Sequence, residues 1–314
     1  MPRRALVTGC NGFVGKHLTR YLKECGEEVV GIDLQPHPWA EWLAYSFLDI
    51  ADHGMLLDFI EKHEVKDIYH LAAVANPRAA EEDPLAALRT NVSGSASIYE
   101  ACRTHGDMRV LAVGTMEQYR KANGPELLFH EDSPLEASTI YGVTKVCSEL
   151  VGRGYVQHYG CRIVFTRTFN HTGPGQAPVY VLSDFAKQCA EISAGLKEPV
   201  IRVGNIDVSR DFLDVADVTR AYRMLMDKGM PGSVYNVCAS ECYPLRELLD
   251  TLVSFAGKQK IRIAVEANRV RADEPARIRG DSRRLREQTG WTPTVSIQET
   301  LRRLYDYWAE ELSS

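Results

Sequence analysis

A tyrosine and a lysine with helical spacing are the clearest chemical signal in this chain. Tyr141 and Lys145 stand four residues apart in the segment Ile140 to Lys145, and that spacing on a helix brings two side chains to one face. A nearby ammonium favours the phenolate, so such a tyrosine can exchange a proton with a substrate oxygen closer to neutral pH. Such pairs also occur by chance on helix surfaces, so the interpretation depends on the neighbouring elements.

A glycine-rich turn at the start of the chain predicts a dinucleotide site. The apolar run Arg4 to Thr8 predicts a strand, and Lys16 to Cys25 has helical periodicity. Glycines between a strand and a helix let the backbone approach a pyrophosphate, and free N–H groups at the helix start attract its charge. The candidate cofactor-binding residues in this turn are Gly9, Asn11, Gly12, Phe13, Val14 and Gly15.

The residue after the second predicted strand favours NAD as the cofactor. Asp33 directly follows Glu28 to Ile32, where an acid can accept hydrogen bonds from both ribose hydroxyls of the adenosine half. It would repel a 2′-phosphate, and residues 34–38 contain no arginine to bind one. NADP is therefore the less favoured cofactor.

A hydroxyl residue upstream of Tyr141 completes the pattern. Thr115 follows the predicted strand Arg109 to Val113. With the glycine turn and the tyrosine–lysine pair, it makes the chain similar, over essentially its whole length, to the extended short-chain dehydrogenase/reductases that act on nucleotide-sugars. The resemblance implies that Thr115 orients the substrate oxygen, that Tyr141 exchanges the proton, and that Lys145 holds the nicotinamide ribose and lowers the pKa of Tyr141. It also makes Glu117 a candidate catalytic residue, on the same side as Thr115 if the strand geometry continues.

The resemblance implies further cofactor contacts, at Asp49, Ile50, Leu71, Ala72, Ala73 and Asn91. Asp49 would touch the adenine, although a helix cap is an equally good interpretation of this residue. The segment His70 to Ala73 ends the fourth predicted strand, where small alanines leave room beside a cofactor. Asn91 lies in the predicted helix Pro84 to Thr104 and matches a family asparagine that stabilises the central sheet.

The loop after the predicted strand Cys161 to Thr168 narrows the resemblance. Residues 169–176, Phe-Asn-His-Thr-Gly-Pro-Gly-Gln, together with residues 183–187 and 204–212, resemble the reductases of GDP-4-keto-6-deoxy-mannose and the GDP-mannose 4,6-dehydratases. This resemblance implies that Arg210 and Arg271 clamp the substrate pyrophosphate and that Asn170 and Lys187 also contact the substrate. Either arginine alone could instead be a solvated charge.

These residues predict hydride transfer between NAD(H) and C4 of a nucleoside diphosphate-sugar, with GDP as the expected nucleotide. The favoured reaction is reduction of GDP-4-keto-6-deoxy-mannose or a similar 4-keto sugar. A 4,6-dehydratase with a tightly held cofactor is the main alternative, because Glu117 fits the base that removes the C5 proton. Against it, the chain lacks the arginines that GDP-mannose dehydratases carry after the second strand. A nucleotide-sugar epimerase and a non-catalytic NAD-sensing protein are the weaker alternatives.

The predicted fold is α/β, a doubly wound parallel sheet of the Rossmann type with a smaller C-terminal α/β lobe for the nucleotide-sugar. The dinucleotide-binding domain is expected to comprise residues 1–172 and about 212–240. The second lobe would comprise about 173–211 and 241–314.

Composition excludes several other partners. A formal net charge of −5 argues against nucleic acid, and no apolar run approaches the roughly 18 residues that cross a bilayer. With no signal-peptide core after Met1, the expected location is the cytoplasm. The eight cysteines are dispersed and typical of reduced packing residues, so no metal site is predicted. The resemblance implies a homodimer, formed through the predicted helix Pro84 to Thr104 and the helix of Tyr141.

Overall fold

Apolar and amphipathic segments alternate along the chain and form strands and helices in turn. The computed structural model describes residues 3–120, 126–257, 260–269 and 275–313. Its strands are β1 (Arg4–Thr8), β2 (Glu28–Asp33), β3 (Ala44–Phe47), β4 (Val65–His70), β5 (Arg109–Thr115), β6 (Glu126–Phe129), β7 (Arg162–Thr168), β8 (Asn170–Thr172), β9 (Val200–Val203), β10 (Ser209–Arg210), β11 (Phe212–Asp214), β12 (Val234–Val237), β13 (Tyr243–Pro244), β14 (Arg262–Val265) and β15 (Arg277–Gly280). Its α-helices are α1 (Phe13–Glu24), α2 (His53–Lys62), α3 (Pro77–Glu82), α4 (Pro84–Leu88), α5 (Ser95–Thr104), α6 (Ile140–Tyr159), α7 (Val181–Ser193), α8 (Val215–Lys228), α9 (Leu245–Phe255), α10 (Arg283–Thr289) and α11 (Ile297–Glu311). A π-helical turn, Arg89–Gly94, joins α4 to α5, and 3₁₀ turns occupy Met116–Gln118 and Ala267–Arg269.

The central sheet is parallel throughout. Among the described residues it has seven strands, in the order β12-β7-β5-β4-β1-β2-β3. The strand order reverses between β1 and β4, and ligands of open α/β sheets bind beside such a reversal, at the carboxyl ends of the strands. Thr8, Asp33, His70 and Thr115 end four neighbouring strands, so this edge brings them together.

Helices cover both faces of this sheet. Alternate residues of β1 point to opposite faces: Leu6 packs with α2, α5 and α6, whereas Val7 packs with α1, α8 and α10. Burial on both sides explains why the strands are nearly continuous apolar runs. Trp291 is fully buried against the second of these faces, and its indole N–H donates to the carbonyl of Asp217 at 3.1 Å.

A smaller lobe contains short strands and three helices. Its sheets have the orders β13-β10-β15-β6 and β14-β9, and a β11-β8 pair lies at the junction with the large sheet. Helices α7, α9 and α11 enclose a second apolar core that includes Phe185, Leu249 and Leu304. The amphipathic segments predicted near the C-terminus thus form α9 and α11.

Two segments lie in the other lobe from the one to which the predicted domain limits assign them. Strand β6 falls within residues 1–172, yet it pairs with β15 in the sheet of the smaller lobe. Conversely, α10 and Trp291 fall within 241–314 but pack on the large sheet. Neither the pairing of β6 with β15 nor the contact of Trp291 with Asp217, 74 positions away, can be read from local patterns.

The long helix predicted at Pro84 to Thr104 is interrupted. It consists of α4, the π-helical turn and α5, with Asn91 in the turn. Such π turns occur frequently at functional sites. Within the described ranges, no helix is long and apolar enough to cross a membrane.

Candidate active site

A cavity of about 670 Å³ opens at the carboxyl edge of the central sheet. The turn after β1, the ends of β2, β4 and β5, and the first turns of α6 surround it. The residues with predicted roles that line this cavity are Gly9, Gly12, Phe13, Val14, Gly15, Asp33, Asp49, Ile50, Leu71, Ala72, Ala73, Thr115, Glu117, Tyr141, Lys145 and Asn170. Asn11, Asn91, Lys187 and Arg210 also had predicted roles but are not among the lining residues.

Helix α6 brings Tyr141 and Lys145 to the cavity in its first two turns. Thr139 caps the helix, because its hydroxyl accepts a hydrogen bond from the N–H of Gly142 at 3.1 Å. A Cβ at position 142 would lie 2.6 Å from the carbonyl oxygen of Glu117, so glycine allows the helix to pack against the loop after β5. The three candidate catalytic groups therefore come from two elements that are in direct contact.

Burial dominates the protonation of the tyrosine–lysine pair. It raises the pKa of Tyr141 well above its ordinary value, and the hydroxyl of Thr115 offsets part of that rise. Burial also lowers the pKa of Lys145 to about 8, and its Nζ donates to the carbonyl of Val113 at 2.8 Å. The lowered Tyr141 pKa expected from sequence is not found, because desolvation outweighs the hydrogen bond with Thr115, and Tyr180 and Glu117 raise the pKa further.

Glu117 reaches the cavity by a different route from the one predicted. Strand β5 ends at Thr115, and Met116–Gln118 form a 3₁₀ turn that Thr115 caps. The expectation that strand alternation places Glu117 beside Thr115 was therefore wrong. Glu117 nonetheless lines the cavity, half-buried.

The glycine turn packs tightly against the loop after β4. Gly9 has a φ of 71°, and a Cβ there would lie 3.0 Å from backbone atoms of Ala72. A Cβ at Gly15 would lie 2.2 Å from the carbonyl oxygen of Gly9. Both positions require glycine, so the start of α1 lies close to the end of the sheet with its backbone exposed to the cavity.

Asp33 is held in a fixed orientation at the end of β2. Its Oδ2 accepts from the N–H of Asn11 at 3.0 Å, and its Oδ1 accepts from the N–H of Gln35 at 3.2 Å. The side chain of Asn11 contacts the loop after β2, donating to the carbonyl of His37 and accepting from the N–H of Trp39. Asn11 therefore shapes the site through this loop.

Asp49 lines the cavity beside Ile50 and does not cap a helix. It accepts from the N–H of Ala51 at 2.9 Å and pairs with Arg89 at 2.7 Å. The cap of α2 is Asp52, whose side chain accepts from the N–H of Met55. The alternative interpretation of Asp49 as a helix cap was thus wrong.

The predicted substrate residues are dispersed. Asn170 lines the cavity and donates to the carbonyl of Asp211 at 3.2 Å. Arg210 is buried and donates to the carbonyls of Ser209 and Pro275 at 2.8 and 3.0 Å. Lys187 lies 5.2 Å from the ring centre of Trp308 and 3.9 Å from Glu191. Arg271 is outside the described residues.

Comparison with known proteins agrees with this architecture. The family model described as GDP-mannose 4,6 dehydratase matches residues 6–304. The chain belongs to the GDP-mannose 4,6 dehydratase family. Its relatives include GDP-6-deoxy-D-mannose reductase of Pseudomonas aeruginosa, 34% identical over 98% of each chain, and GDP-mannose 4,6 dehydratase 1 of Arabidopsis thaliana, 24% identical over 97% of this chain and 90% of the relative.

Solved structures place this family member in the same fold. The structure of RMD from Pseudomonas aeruginosa complexed with NADPH has a TM-score of 0.86, with 32% identity over 98% of this chain and 99% of the other. Thermus thermophilus UDP-glucose 4-epimerase in complex with NAD has a TM-score of 0.84, with 25% identity over 97% and 98%. The predicted resemblance, the Rossmann-type α/β fold and the assignment as an enzyme are confirmed.

A buried hydrogen-bond network lies behind the cavity, and the sequence analysis did not predict it. The hydroxyl of Thr8 accepts from the N–H groups of Leu71 and Ala72 at 3.1 and 3.0 Å, which leaves its own proton for Nδ1 of His70 at 2.9 Å. His70 then donates from Nε2 to the hydroxyl of Ser95 at 2.9 Å. Burial lowers the pKa of His70 to about 3, so the imidazole is neutral.

The network continues to helix α6. Ser95 donates to the carbonyl of Asn91 at 2.6 Å, and the Asn91 amide donates to the hydroxyl of Thr144 at 2.9 Å. Thr144 in turn donates to the carbonyl of Tyr141 at 2.8 Å. A polar residue such as His70 at the end of an apolar strand was the available signal, since buried polar groups need partners.

Two aromatic residues of the cavity wall were also missed. Nδ1 of His171 lies 2.9 Å from the carbonyl of Phe169, which can only accept, so Nδ1 carries the proton and Nε2 is an acceptor. The ring stacks on Phe13 with centroids 6.0 Å apart, and burial lowers the pKa of His171. Tyr180 also lines the cavity and is 40% exposed.

Within the described residues, no cluster of His, Cys, Asp and Glu side chains is suited to a metal ion.

Proposed function

We propose that this protein reduces the 4-keto group of a nucleoside diphosphate-6-deoxyhexose, with GDP as the nucleotide and a nicotinamide dinucleotide as the reductant. The observation that carries the proposal is that Thr115, Tyr141 and Lys145 line the same cavity as the glycine turn and Asp33. Proton exchange and hydride transfer must occur at neighbouring atoms, and one cavity with both sets of residues allows this. The 34% identity with a GDP-6-deoxy-D-mannose reductase over the full length supports the choice of reaction.

Each residue then has a defined task. The bound dinucleotide supplies a hydride to C4 of the sugar. Tyr141 donates its phenolic proton to the oxygen at C4 as charge develops there, and Thr115 holds that oxygen by a hydrogen bond. The raised pKa of Tyr141 suits this direction, because a phenol that keeps its proton is a proton donor. Lys145 binds the nicotinamide ribose.

NAD(H) is the favoured cofactor, and NADP(H) is second. Both oxygens of Asp33 are oriented by backbone N–H groups, so the carboxylate presents its remaining lone pairs to ribose hydroxyls. The solved structure from Pseudomonas aeruginosa carries NADPH, which makes the comparison of affinities informative. We expect titration to show tighter binding of NADH than of NADPH. Asp33→Asn should reduce the difference between the two affinities, because it removes the charge that repels a 2′-phosphate. Equal affinities for NADH and NADPH in the wild type would contradict NAD(H) as the favoured cofactor.

The decisive experiment is the stoichiometry of the reaction. A reductase consumes one NADH for each 4-keto-6-deoxy sugar, whereas a dehydratase returns its hydride and needs no added reductant. We expect the protein to oxidise NADH in the presence of GDP-4-keto-6-deoxy-mannose and to leave GDP-mannose unchanged. Conversion of GDP-mannose without NADH would reject the reductase.

A 4,6-dehydratase is the second candidate, because Glu117 lines the cavity and could remove the C5 proton. Under the reductase proposal, Glu117→Gln retains substantial activity, since only C4 reacts. In a dehydratase the same change would stop the reaction after the C4 oxidation, with the bound cofactor reduced. An absorbance spectrum of the variant after mixing with GDP-mannose separates the two cases.

The pyrophosphate clamp is proposed for Arg210 and Arg271. Arg210 donates to backbone carbonyls, so binding a phosphate there would require its guanidinium to share those hydrogen bonds. Lys187 and Asn170 remain proposed substrate contacts of the same lobe. We expect Arg210→Ala and Arg271→Ala each to weaken GDP binding by about 1.5–3 kcal/mol. Arg246→Ala, an exposed arginine paired with Asp207, is the matched control.

Exposed apolar side chains on two helices support a proposal for the assembly of the protein. Helices α4 and α6 expose the apolar side chains Leu85, Leu88, Val143, Leu150 and Tyr159, so we propose a homodimer through this face. Light scattering should show a dimer that Leu150→Glu dissociates, whereas Leu196→Glu, of similar exposure, leaves it intact. A monomeric wild type would refute the dimer.

The state of the cysteines bears on the location of the protein. All eight cysteines are free thiols, which supports the proposed cytoplasmic location.

A further inference from the structure

A buried glutamine connects the strand that carries Thr115 to the helix that carries Tyr141 and Lys145. Gln118 is fully buried. Its Oε1 accepts from the backbone N–H of Thr115 at 2.8 Å, and its Nε2 donates to Oε2 of Glu149 at 2.7 Å. Because Glu149 follows Tyr141 by eight residues and Lys145 by four, the three lie on one face of α6.

Glu149 is a fixed anchor for this link. Arg167 of β7, which is 1% exposed, donates to both of its carboxylate oxygens at 3.0 and 2.7 Å. Arg153 donates to one of the same oxygens at 3.0 and 2.7 Å. Burial alone would raise the pKa of Glu149, but Arg167 and Arg153 reverse this and lower it. The carboxylate is therefore a charged acceptor with a defined position between α6 and the central sheet.

The glycine before Thr115 makes room for the amide. A Cβ at Gly114 would lie 2.3 Å from Oε1 of Gln118. The hydrogen bond between Oε1 and the N–H of Thr115 belongs to the local capping box of the 3₁₀ turn. The hydrogen bond from Nε2 to Glu149 leads out of that turn, across 31 residues of sequence, to the catalytic helix. A turn that needed only a cap would not require the second bond.

We propose that Gln118 is a positioning residue that sets the separation of the Thr115 hydroxyl and the Tyr141 phenol. The proposal rests on the catalytic roles proposed above for these two side chains. An amide is suited to the task because it presents an acceptor and a donor together, one to the Thr115 backbone and one to the helix. Both groups must contact one substrate oxygen, and a misplacement of about 1 Å can reduce the rate by roughly 100-fold.

The first test is Gln118→Met, which keeps the length of the side chain and removes both hydrogen bonds. We expect kcat to fall by about 10- to 100-fold, while the KM for NADH changes little because the glycine turn is untouched. Gln188→Met is the matched control. Gln188 is 4% exposed and hydrogen-bonded on both sides of its amide, but it lies in the smaller lobe on α7. A kcat loss of the same size in both variants would indicate a general packing effect and overturn the proposal.

The second test is Gln118→Glu, which retains the acceptor for Thr115 and needs a proton to donate to Glu149. Two carboxyl groups in hydrogen-bond contact share one proton, and the pair loses it as the pH rises. The ratio of the variant kcat to the wild-type kcat should therefore increase as the pH falls from about 8 to about 6. A purely structural role predicts a flat ratio, and a flat ratio would overturn the proposal.

Hydrogen exchange at the Thr115 amide separates failure of this proposal from failure of the proposed function. The exchange should be faster in Gln118→Met than in the wild type and unchanged in Gln188→Met. Unchanged exchange in Gln118→Met would overturn the positioning role whatever the enzyme's activity. If exchange accelerates but the wild type consumes no NADH with any 4-keto nucleotide-sugar, the proposed function is wrong and the positioning role fails with it.

Discussion

At the scale of single residues, Tyr141 is the proton donor that the proposed reaction cannot replace. Its phenol is 9% exposed and borders the same cavity as Thr115. Tyr141→Phe keeps the ring and deletes the transferable proton, so turnover should fall by about 100-fold or more while NADH binding is nearly unchanged. Steady-state rates and fluorescence titration of NADH measure the two quantities. Full activity in this variant would remove Tyr141 from the mechanism.

The burial of a charged Lys145 should lower the free energy of unfolding at neutral pH. Burial lowers its pKa from 10.5 to about 8, and the difference of about 2.5 units, at about 1.36 kcal/mol per unit, is an upper estimate of roughly 3 kcal/mol. We expect Lys145→Met to increase the free energy of unfolding by about 1–3 kcal/mol at pH 7, with loss of activity. The hydrogen bond to Val113 offsets part of the gain.

The sign of the pH dependence follows from the lowered pKa. Below about pH 8 the lysine is charged in both states and the penalty is complete, whereas near pH 10.5 it is neutral in the folded state and the penalty is lost. Between these values the unfolded chain binds more protons, so the wild type gains stability relative to Lys145→Met as the pH rises. Urea unfolding at pH 7 and about pH 9.5 tests this. A stability difference between the wild type and Lys145→Met that does not change with pH would contradict it.

At the scale of elements, the network from Thr8 to Tyr141 joins the ends of β1 and β4 to the π-helical turn and α6. Its last links are the hydrogen bonds between Asn91 and Thr144 and between Thr144 and the carbonyl of Tyr141. The extra residue of a π turn displaces the backbone locally, and here it puts Asn91 within reach of both Val74 and Thr144. The family asparagine that the sequence matches therefore connects three elements.

A double-mutant cycle measures this connection. Asn91→Ala and Thr144→Val should destabilise the protein by less together than the sum of the single variants, with a coupling of about 0.5–3 kcal/mol. Thr300→Val is the control partner, because the hydroxyl of Thr300 donates to the carbonyl of Ser296, the N-cap of its own helix α11. Additivity in both pairs would show that the Asn91–Thr144 contact contributes nothing measurable.

The elements also show what the sequence can and cannot predict. Apolar periodicity and turn residues predicted β1, β2 and β5 to within a residue or two, because these strands depend on local apolar spacing. The residues at strand ends and in the glycine turn that line the cavity were predicted for the same reason. Glu117 was misplaced because a capping box, in which the side chains of Thr115 and Gln118 accept from backbone N–H groups of the turn, ends the strand at Thr115. The Tyr141 pKa was misjudged because burial is a property of the assembled cavity.

At the scale of the whole molecule, an aromatic core joins the two lobes. It contains Tyr119, Phe129, Phe169 and Ile278, with Phe129 and Ile278 on strands of the smaller sheet. Tyr119 also donates to the side chain of Asn236 on β12 at 2.6 Å. Separate unfolding of the lobes would expose this shared core, so we expect one cooperative transition.

Two tryptophans can report on the lobes independently. Trp291 is buried against the large sheet, and Trp308 packs in the smaller lobe with its N–H donated to Ser183. In variants that retain only Trp291 or only Trp308 of the four tryptophans, the urea midpoint from fluorescence should coincide with the midpoint from circular dichroism of the same variant. Ile278→Ala should lower both midpoints together, with a cost of about 2–5 kcal/mol. Separate midpoints would show that the lobes are independent folding units.

The crossing of β6 into the smaller sheet bears on how such a chain can evolve. Glu126–Phe129 follows Thr115 closely in sequence but completes a sheet whose other strands lie after residue 208. If the N-terminal gene fragment ends before β6, it separates the smaller sheet's edge strand from the large lobe's segments. If it includes β6, that strand is separated from its partner β15. Exchange of the substrate-binding half between relatives by recombination is therefore expected to fail at simple breakpoints. New sugar specificities in this fold should arise mainly by point substitution around an intact chain.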